Sequence, residues 1–309
     1  MIEPGIDLRT WRQFLAVAEE LHFGRAAQRL AMTQPPVTQA IIRLERALGV
    51  RLFDRTRRRV ALTPAGSALV PEVRTLLVQA QALPQRARAA ALGEVGRVRL
   101  AFVSTAGFEQ VPAWVGAFRA HSPGVTLELV EATGDVQLQA LARHEIDAGL
   151  MLHAPGAAPP GLARSAVGAE PMVLALPAQH PLAQAWRLTL AAVLREPLVI
   201  FPRRIVPSLH DAIMAMYQAA GQVPRVAQEA IQMQTIVNLV AGGLGLAWVP
   251  ASVMQFRREG VVYRAGAAVR PAPSASWPWC ETSLIWSAEN PLPALARFVD
   301  FVRGQMAAD

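Results

Sequence analysis

The sequence predicts a small winged helix-turn-helix unit, a long helix, and a larger α/β domain. Three observations carry that prediction. The chain has 309 residues, about twice a typical domain, so two cores are expected. Its net charge is gathered in the first third. Helical periodicity in that third gives way, from Gly96 on, to short β-like runs alternating with helices.

The charge is counted directly. Residues 1–93 hold 14 Arg against 7 acidic residues, a balance of +7, and residues 94–309 hold 16 against 16. No lysine occurs. A basic segment on a neutral body suits a polyanion, because arginines gain affinity by displacing counterions condensed on phosphates; an anionic membrane surface would attract it too. Hydrophobic residues at 52% and charged ones at 17% exclude a disordered chain.

Leu8, Trp11, Leu15, Ala18 and Leu21 recur at helical spacing and predict an amphipathic helix with that face buried. A short helix follows over Gly24–Leu30, and Ala31–Met32–Thr33 give the turn of a helix-turn-helix. Thr33 is placed as N-cap of a third helix, with Pro35 and Pro36 in a first turn where missing N–H groups cost no intrahelical bond. Val37, Ile41, Leu44 and Leu48 form its buried stripe, which directs Gln34, Thr38, Gln39 and Arg43 outward as candidate contacts to base edges or phosphates. Gly49 ends it. Val50–Leu62 predicts a hairpin carrying Arg51, Arg55, Arg57, Arg58 and Arg59. A merely solvated charge run is the alternative, but a wing on the DNA backbone explains the density better.

The residues Leu8, Ala26–Ala27, Leu30, Thr33–Thr38, Ile41, Leu44–Glu45, Leu48–Gly49, Leu52–Phe53, Arg55 and Leu62–Gly66 together closely resemble LysR-type transcriptional regulators, without a gap. The resemblance implies a winged helix-turn-helix DNA-binding domain on double-stranded DNA, with Gln34, Pro35, Pro36, Thr38 and Gln39 entering the major groove. Relatives often carry Ser where Thr38 stands and Arg where Gln39 stands. Of the wing, Arg55, Arg57 and Arg58 are the candidate phosphate contacts.

Thr63 and Pro64 can open a long linker helix reaching to about Leu92. Leu69, Val73, Leu76, Ala80, Leu83, Ala87 and Ala90 alternate in steps of four and three, which is a heptad seam for pairing two chains. The alternative is one helix packed on its own domain, with Pro71 and Pro84 as kinks. The dimeric family implies a homodimer, with a homotetramer and RNA polymerase as further expected partners.

Runs such as Val98–Val103, Val125–Val130 and Ile146–Leu150, alternating with helical segments, predict a doubly wound parallel sheet. The resemblance continues through Ile146–Gly149, His180–Leu182 and Leu239–Gly245. It implies an α/β two-lobed, periplasmic-binding-protein-like effector domain with a small-molecule effector between the lobes. The expected division is 1–63 for DNA binding, 64–93 for the linker, and 94–309 for the effector domain, with lobe I at about 94–167 and 270–309 and lobe II at about 168–269. Ligands of such sheets sit beyond the strand ends, at helix N-termini. Ser104, Thr105, Thr133, Gly134, Pro202, Arg203 and Gln234 occupy those ends, and the corresponding family positions contact the effector. Arg203 and Arg204 would suit a small or aromatic carboxylate; ordinary exposed arginines are the alternative.

Other function classes leave no signature. The six histidines show no metal-binding spacing, and neither a nucleophile elbow nor a P-loop occurs, so no metal, cofactor or enzymatic activity is expected. Gly243–Leu244–Gly245 lies between helix and strand, with Trp248 at the third glycine position, so it is no dinucleotide fingerprint. A secreted solute-binding protein is disfavoured by the basic first third and by a start, Met1–Thr10, with no apolar run. An enzyme with a DNA-binding appendage would be revealed by turnover of aromatic acids. The single cysteine, Cys280, allows no intramolecular disulfide and reads as a small buried hydrophobe, so a cytoplasmic location is expected. Ile231–Phe256 carries no charge, but Gly242, Gly243, Gly245 and Pro250 divide it into a helix, a turn and a buried strand rather than a membrane span.

Overall fold

The computed structural model describes residues 6–55, 59–108, 110–265, 269–270 and 277–308. It divides into two compact units, residues 1–88 and 89–309.

The first unit opens with helix α1 (Leu8–Glu20), α2 (Phe23–Arg29) and α3 (Gln34–Leu48), followed by an antiparallel pair, β1 (Phe53–Arg55) and β2 (Val60–Leu62). The Asp7 side chain caps α1 by accepting from the Thr10 N–H at 2.7 Å. The buried face of α1 differs from the predicted one. Phe14, Val17 and Ala18 are buried, the predicted Trp11 and Leu15 are half-buried against the same core, and Leu8 and Leu21 are exposed at the helix ends. The core joins Phe14, Val17, Phe23, Val37, Ile41, Leu44, Leu52 and Phe53. Gly49 ends α3 with φ +68°, a left-handed conformation that glycine adopts without a Cβ clash.

Helix α4 (Pro64–Ala91) runs unbroken through Pro71 and Pro84. Thr63 caps it, its Oγ1 accepting from the Gly66 N–H at 3.0 Å. Gly66 lies so close to the Leu52 carbonyl that a Cβ there would clash with backbone. The predicted seam divides in two. Val73 is buried in the core of its own unit together with Leu77, whereas Leu76, Val78 and Leu83 are exposed. Val73 is therefore a core residue, because the inner edge of α4 packs on the helix-turn-helix.

The second unit is built on a sheet ordered β10-β6-β13-β5-β3-β4, with β11 also pairing β6. Strands β3 (Gly96–Phe102), β4 (Val125–Glu131) and β5 (Ala148–His153) are parallel. The expectation of a parallel sheet fails beyond them. Strand β6 (Ala163–Pro177) and β13 (Trp279–Trp286) pair antiparallel with each other, and β13 pairs antiparallel with β5. The reason is topological: β6 carries the chain out of the first lobe and β13 brings it back, so one of the two must oppose its neighbours. The first half of β6 pairs β13, and its second half pairs β10 (Ala247–Pro250) and β11 (Val261–Arg264) in the second lobe. There β8 (Leu198–Ile200) and β9 (Val226–Glu229) add a parallel pair, while β7 (Leu188–Thr189) and β12 (Val269–Arg270) form another.

Helices α5 (Gln110–His121), α6 (Gly134–Ala142) and α11 (Pro293–Ala308) serve the first lobe. Helices α7 (Pro181–Gln184), α8 (Leu190–Leu194), α9 (Pro207–Ala219) and α10 (Met233–Ala241) serve the second. Two short 3₁₀ turns, Ser104–Phe108 and Ala251–Gln255, follow β3 and β10. The uncharged run of the sequence analysis is thus α10, β10 and the second 3₁₀ turn. Among the described residues no helix is long and apolar enough to cross a membrane. Cys280 is buried, and burial together with the nearby Glu170 charge pushes its thiol up, away from the reactive thiolate.

Candidate DNA-binding and effector sites

Helix α3 presents Gln34, Pro35, Pro36, Gln39 and Arg43 as exposed residues, with Thr38 half-buried, while Val37, Ala40, Ile41 and Leu44 face the core. Thr33 is the N-cap by position, but its side chain makes no capping bond. The N–H groups of the first turn are thereby left for another acceptor, in the region where the two prolines remove donors. Thr38 returns its hydroxyl to the Gln34 carbonyl at 3.1 Å. Arg57 and Arg58 lie outside the described residues.

Arg55 is not a free wing cation. Its Nη2 donates to Glu45 Oε2 at 2.6 Å, and its guanidinium lies 5.1 Å from the centre of the Phe23 ring. The other Glu45 oxygen accepts the N–H groups of Leu52 and Phe53 at 2.9 and 3.1 Å. Glu45, on the inner half of α3, therefore fixes the base of the hairpin. Glu45 stands in the quoted motif without an assigned role, because the donors it binds, Leu52, Phe53 and Arg55, lie beyond the turn at Gly49.

In the second unit the predicted effector residues fall into three groups. Ser104 and Gln234 line a cavity of about 400 Å³ that is otherwise mostly apolar, with Phe102, Phe108, Val111, Leu129 and the carboxylate of Glu131 also in its wall. Thr105, next to Ser104, lines a different cavity of about 270 Å³ with Glu170, Ser252 and Thr282. Thr133 and Gly134 form the N-terminus of α6, where the Thr133 hydroxyl donates to Asp135. Gly134 packs so closely on the Ile205 carbonyl that a Cβ would clash with it, which brings the α6 end against the Pro202–Val206 segment of the other lobe. Beside it the Ala154 N–H donates to Ser208 Oγ at 3.1 Å, a second link between the lobes.

Pro202 is buried and Arg203 exposed. The Arg203 guanidinium already holds a carboxylate: Nε and Nη2 donate to the two oxygens of Asp211 on α9 at 2.7 and 2.6 Å. That pair holds Asp211 below its ordinary range and raises Arg203. Arg204 stands 4.0 Å from Asp135. The N-caps of α6, α9 and α10, which are Thr133, Val206 and Gln232, make no side-chain capping bond, so three helix N-termini keep backbone donors for a ligand. Glu170, Ser208 and Asp211 were absent from the sequence reading, since each acts through a partner distant in the chain or across a turn. No group of three or more metal-ligating side chains occurs among the described residues.

Two family models match the chain: residues 8–67 match the bacterial regulatory helix-turn-helix protein of the lysR family, and residues 91–307 match the LysR substrate binding domain. This protein belongs to the LysR family of transcriptional regulators. Among its relatives is the HTH-type transcriptional regulator IlvR of Caulobacter vibrioides, 43% identical over 94% of this chain and 95% of that one. TfdS of Cupriavidus pinatubonensis is 36% identical over 96% of this chain and 98% of its own. Full-length CbnR, solved in complex with its target DNA, superposes over 97% of this chain and 100% of its own at a TM-score of 0.76 and 29% identity. Full-length BenM covers 98% of this chain and 97% of its own at a TM-score of 0.56 and 25% identity. The LysR relatives are named as regulators of transcription, not as enzymes, and their likeness covers both units of this chain.

Proposed function

We propose that this LysR-type regulator reads its operator with Gln34, Pro35, Pro36, Thr38, Gln39 and Arg43, and that a small or aromatic carboxylate bound between the lobes controls it. The observation that carries the DNA reading is the polar outer edge of α3, whose opposite edge is buried. Arg57 and Arg58 of the wing contribute phosphate contacts, and Arg55, tied to Glu45, presents the hairpin base to the backbone. Two such domains would be paired through the exposed edge of α4 in a homodimer, with two dimers forming a tetramer and RNA polymerase as the downstream partner on cytoplasmic DNA.

The carboxylate class is supported by Arg203. Its fork already donates to the two oxygens of Asp211 in the geometry that an acid ligand would use. An effector carboxylate entering the cleft exchanges with Asp211, while Ser104, Gln234 and the N-termini at Thr133–Gly134 and Pro202–Pro207 hold the rest of the molecule. Release of Asp211 alters how α9 is held, and closure of the lobes then biases the dimer's arrangement on DNA. A few kcal/mol of differential affinity is enough for such a shift.

A thermal-shift screen of the full-length protein against benzoate, salicylate and succinate tests this. A stabilising acid should lose its effect in Arg203→Ala and gain affinity in Asp211→Asn, where the internal competitor is weakened. An acid that stabilises both variants like the wild type would place the site elsewhere.

A further inference from the structure

The cavity that takes Thr105 lies where β6 crosses between the lobes. The first 3₁₀ turn supplies Thr105, α5 supplies Gln110, β6 supplies Glu170, the second 3₁₀ turn supplies Ser252 and Gln255, and β13 supplies Thr282. Phe108 and Phe256 stack beside the two 3₁₀ turns, ring centres 6.5 Å apart. The register of β6 against β13 shifts between Thr282 and Ser283. Thr282 faces the cavity, while the fully buried Ser283 bonds His153 Nε2 at 3.0 Å.

We propose that this hinge cavity is a second ligand site, which takes a small molecule carrying an ammonium group flanked by hydroxyls. Its volume of about 270 Å³ holds far more than one water. Thr105 and Thr282, only 6% and 7% exposed, both line the cavity, so their hydroxyls are available to a ligand that enters it. The charge of the wall selects the ligand. Among the described residues that line it, Glu170 is the one charged group, with neither arginine nor histidine beside it. The Ser252 backbone N–H and hydroxyl both donate to Glu170, the hydroxyl at 2.9 Å, which fixes the carboxylate and leaves it further lone pairs. A carboxylate ligand would be repelled here, and an ammonium would gain a charge-assisted bond. Because the wall draws on both 3₁₀ turns and both crossing strands, occupation would bear directly on the angle between the lobes.

This site is separate from the Arg203 cleft, and the test keeps the two apart. Full-length protein is titrated by calorimetry with 2-amino-1,3-propanediol, glycerol and propionate. The amine should bind saturably, glycerol should bind more weakly, and propionate should not bind at this cavity. Glu170→Gln should weaken the amine by about tenfold or more. Gly168→Leu, on the same strand, should abolish amine binding by filling the space: a Cβ there meets only Gln110 Nε2, at 3.7 Å, so the variant should fold. Arg203→Ala should leave amine binding unchanged. The proposal is overturned if the amine does not saturate, if it binds a folded Gly168→Leu variant with wild-type affinity, or if propionate binding is the one that Gly168→Leu removes. Propionate binding that Arg203→Ala removes reports on the cleft alone.

Discussion

Glu45 and Arg55 lock α3 to the hairpin, their Oε2 and Nη2 atoms 2.6 Å apart, while the second Glu45 oxygen holds the N–H groups of Leu52 and Phe53. One carboxylate thus satisfies three donors from an element seven to ten residues further along the chain. Glu45→Gln keeps one acceptor and loses the charge that both arginine and backbone donors use. It should destabilise the DNA-binding unit by roughly 1–3 kcal/mol, and Glu45→Ala by more. It should also weaken DNA binding at every sequence, because the wing loses its anchor. Thermal melts and titrations against unrelated duplexes check this; unchanged affinity in a folded variant would mean the wing is held by other contacts.

The two faces of α4 should separate in mutagenesis. Val73→Asp places an unpaired charge in the core of the first unit and should unfold that unit, costing several kcal/mol. Leu76→Asp, at a side chain 40% exposed, should leave the fold intact and dissociate the dimer. Light scattering combined with circular dichroism distinguishes the two. An intact dimer in Leu76→Asp would move the pairing edge off this helix face.

The effector domain should owe part of its acid stability to Asp147. Burial pushes its carboxyl up, but side-chain and backbone hydrogen bonds from Arg99 outweigh that and leave it below the ordinary value of 3.8. A depressed folded pKa stabilises fully above the unfolded value and is lost as pH falls through the folded one. Denaturation of the second unit should therefore steepen below about pH 3.8. Asp147→Asn should lower stability at neutral pH by roughly 1–3 kcal/mol and flatten that acid limb. An unchanged acid limb in the variant would assign the titration to another carboxylate.

Helix α3 was legible because its signals are local. Pro35 and Pro36 mark its start, Gly49 its end, and the buried Val37, Ile41 and Leu44 its inner face. The face of α1 was legible only in part, since Leu8 and Leu21 carry the right spacing but are exposed at the helix ends, and the buried Gln13 takes a place the apolar pattern assigned to no one, its Nε2 reaching Met32. Heptad spacing in α4 fits both a partner helix and the chain's own core, and Val73 went to the core. Strand β6 hid in its first half, short of large apolar residues and mostly exposed or half-buried, whose pairing partner β13 lies over a hundred residues away. In the effector domain the strand-end rule picked residues at the ends of strands but not their partners. Nothing local joins Glu170 to Ser252, or separates Ser104 from Thr105, which line different cavities.

The outer edge of α3 is tested most directly by selecting bound duplexes from a random-sequence pool with the full-length protein and with Gln34→Ala and Gln39→Ala. The wild type should enrich a dyad-symmetric site. Each variant should lose preference at a restricted set of positions within both half-sites, at a cost of roughly 1–3 kcal/mol of discrimination, while its binding to unselected DNA is retained. Variants that enrich the wild-type site with unchanged affinity would contradict the assignment of this edge to base recognition.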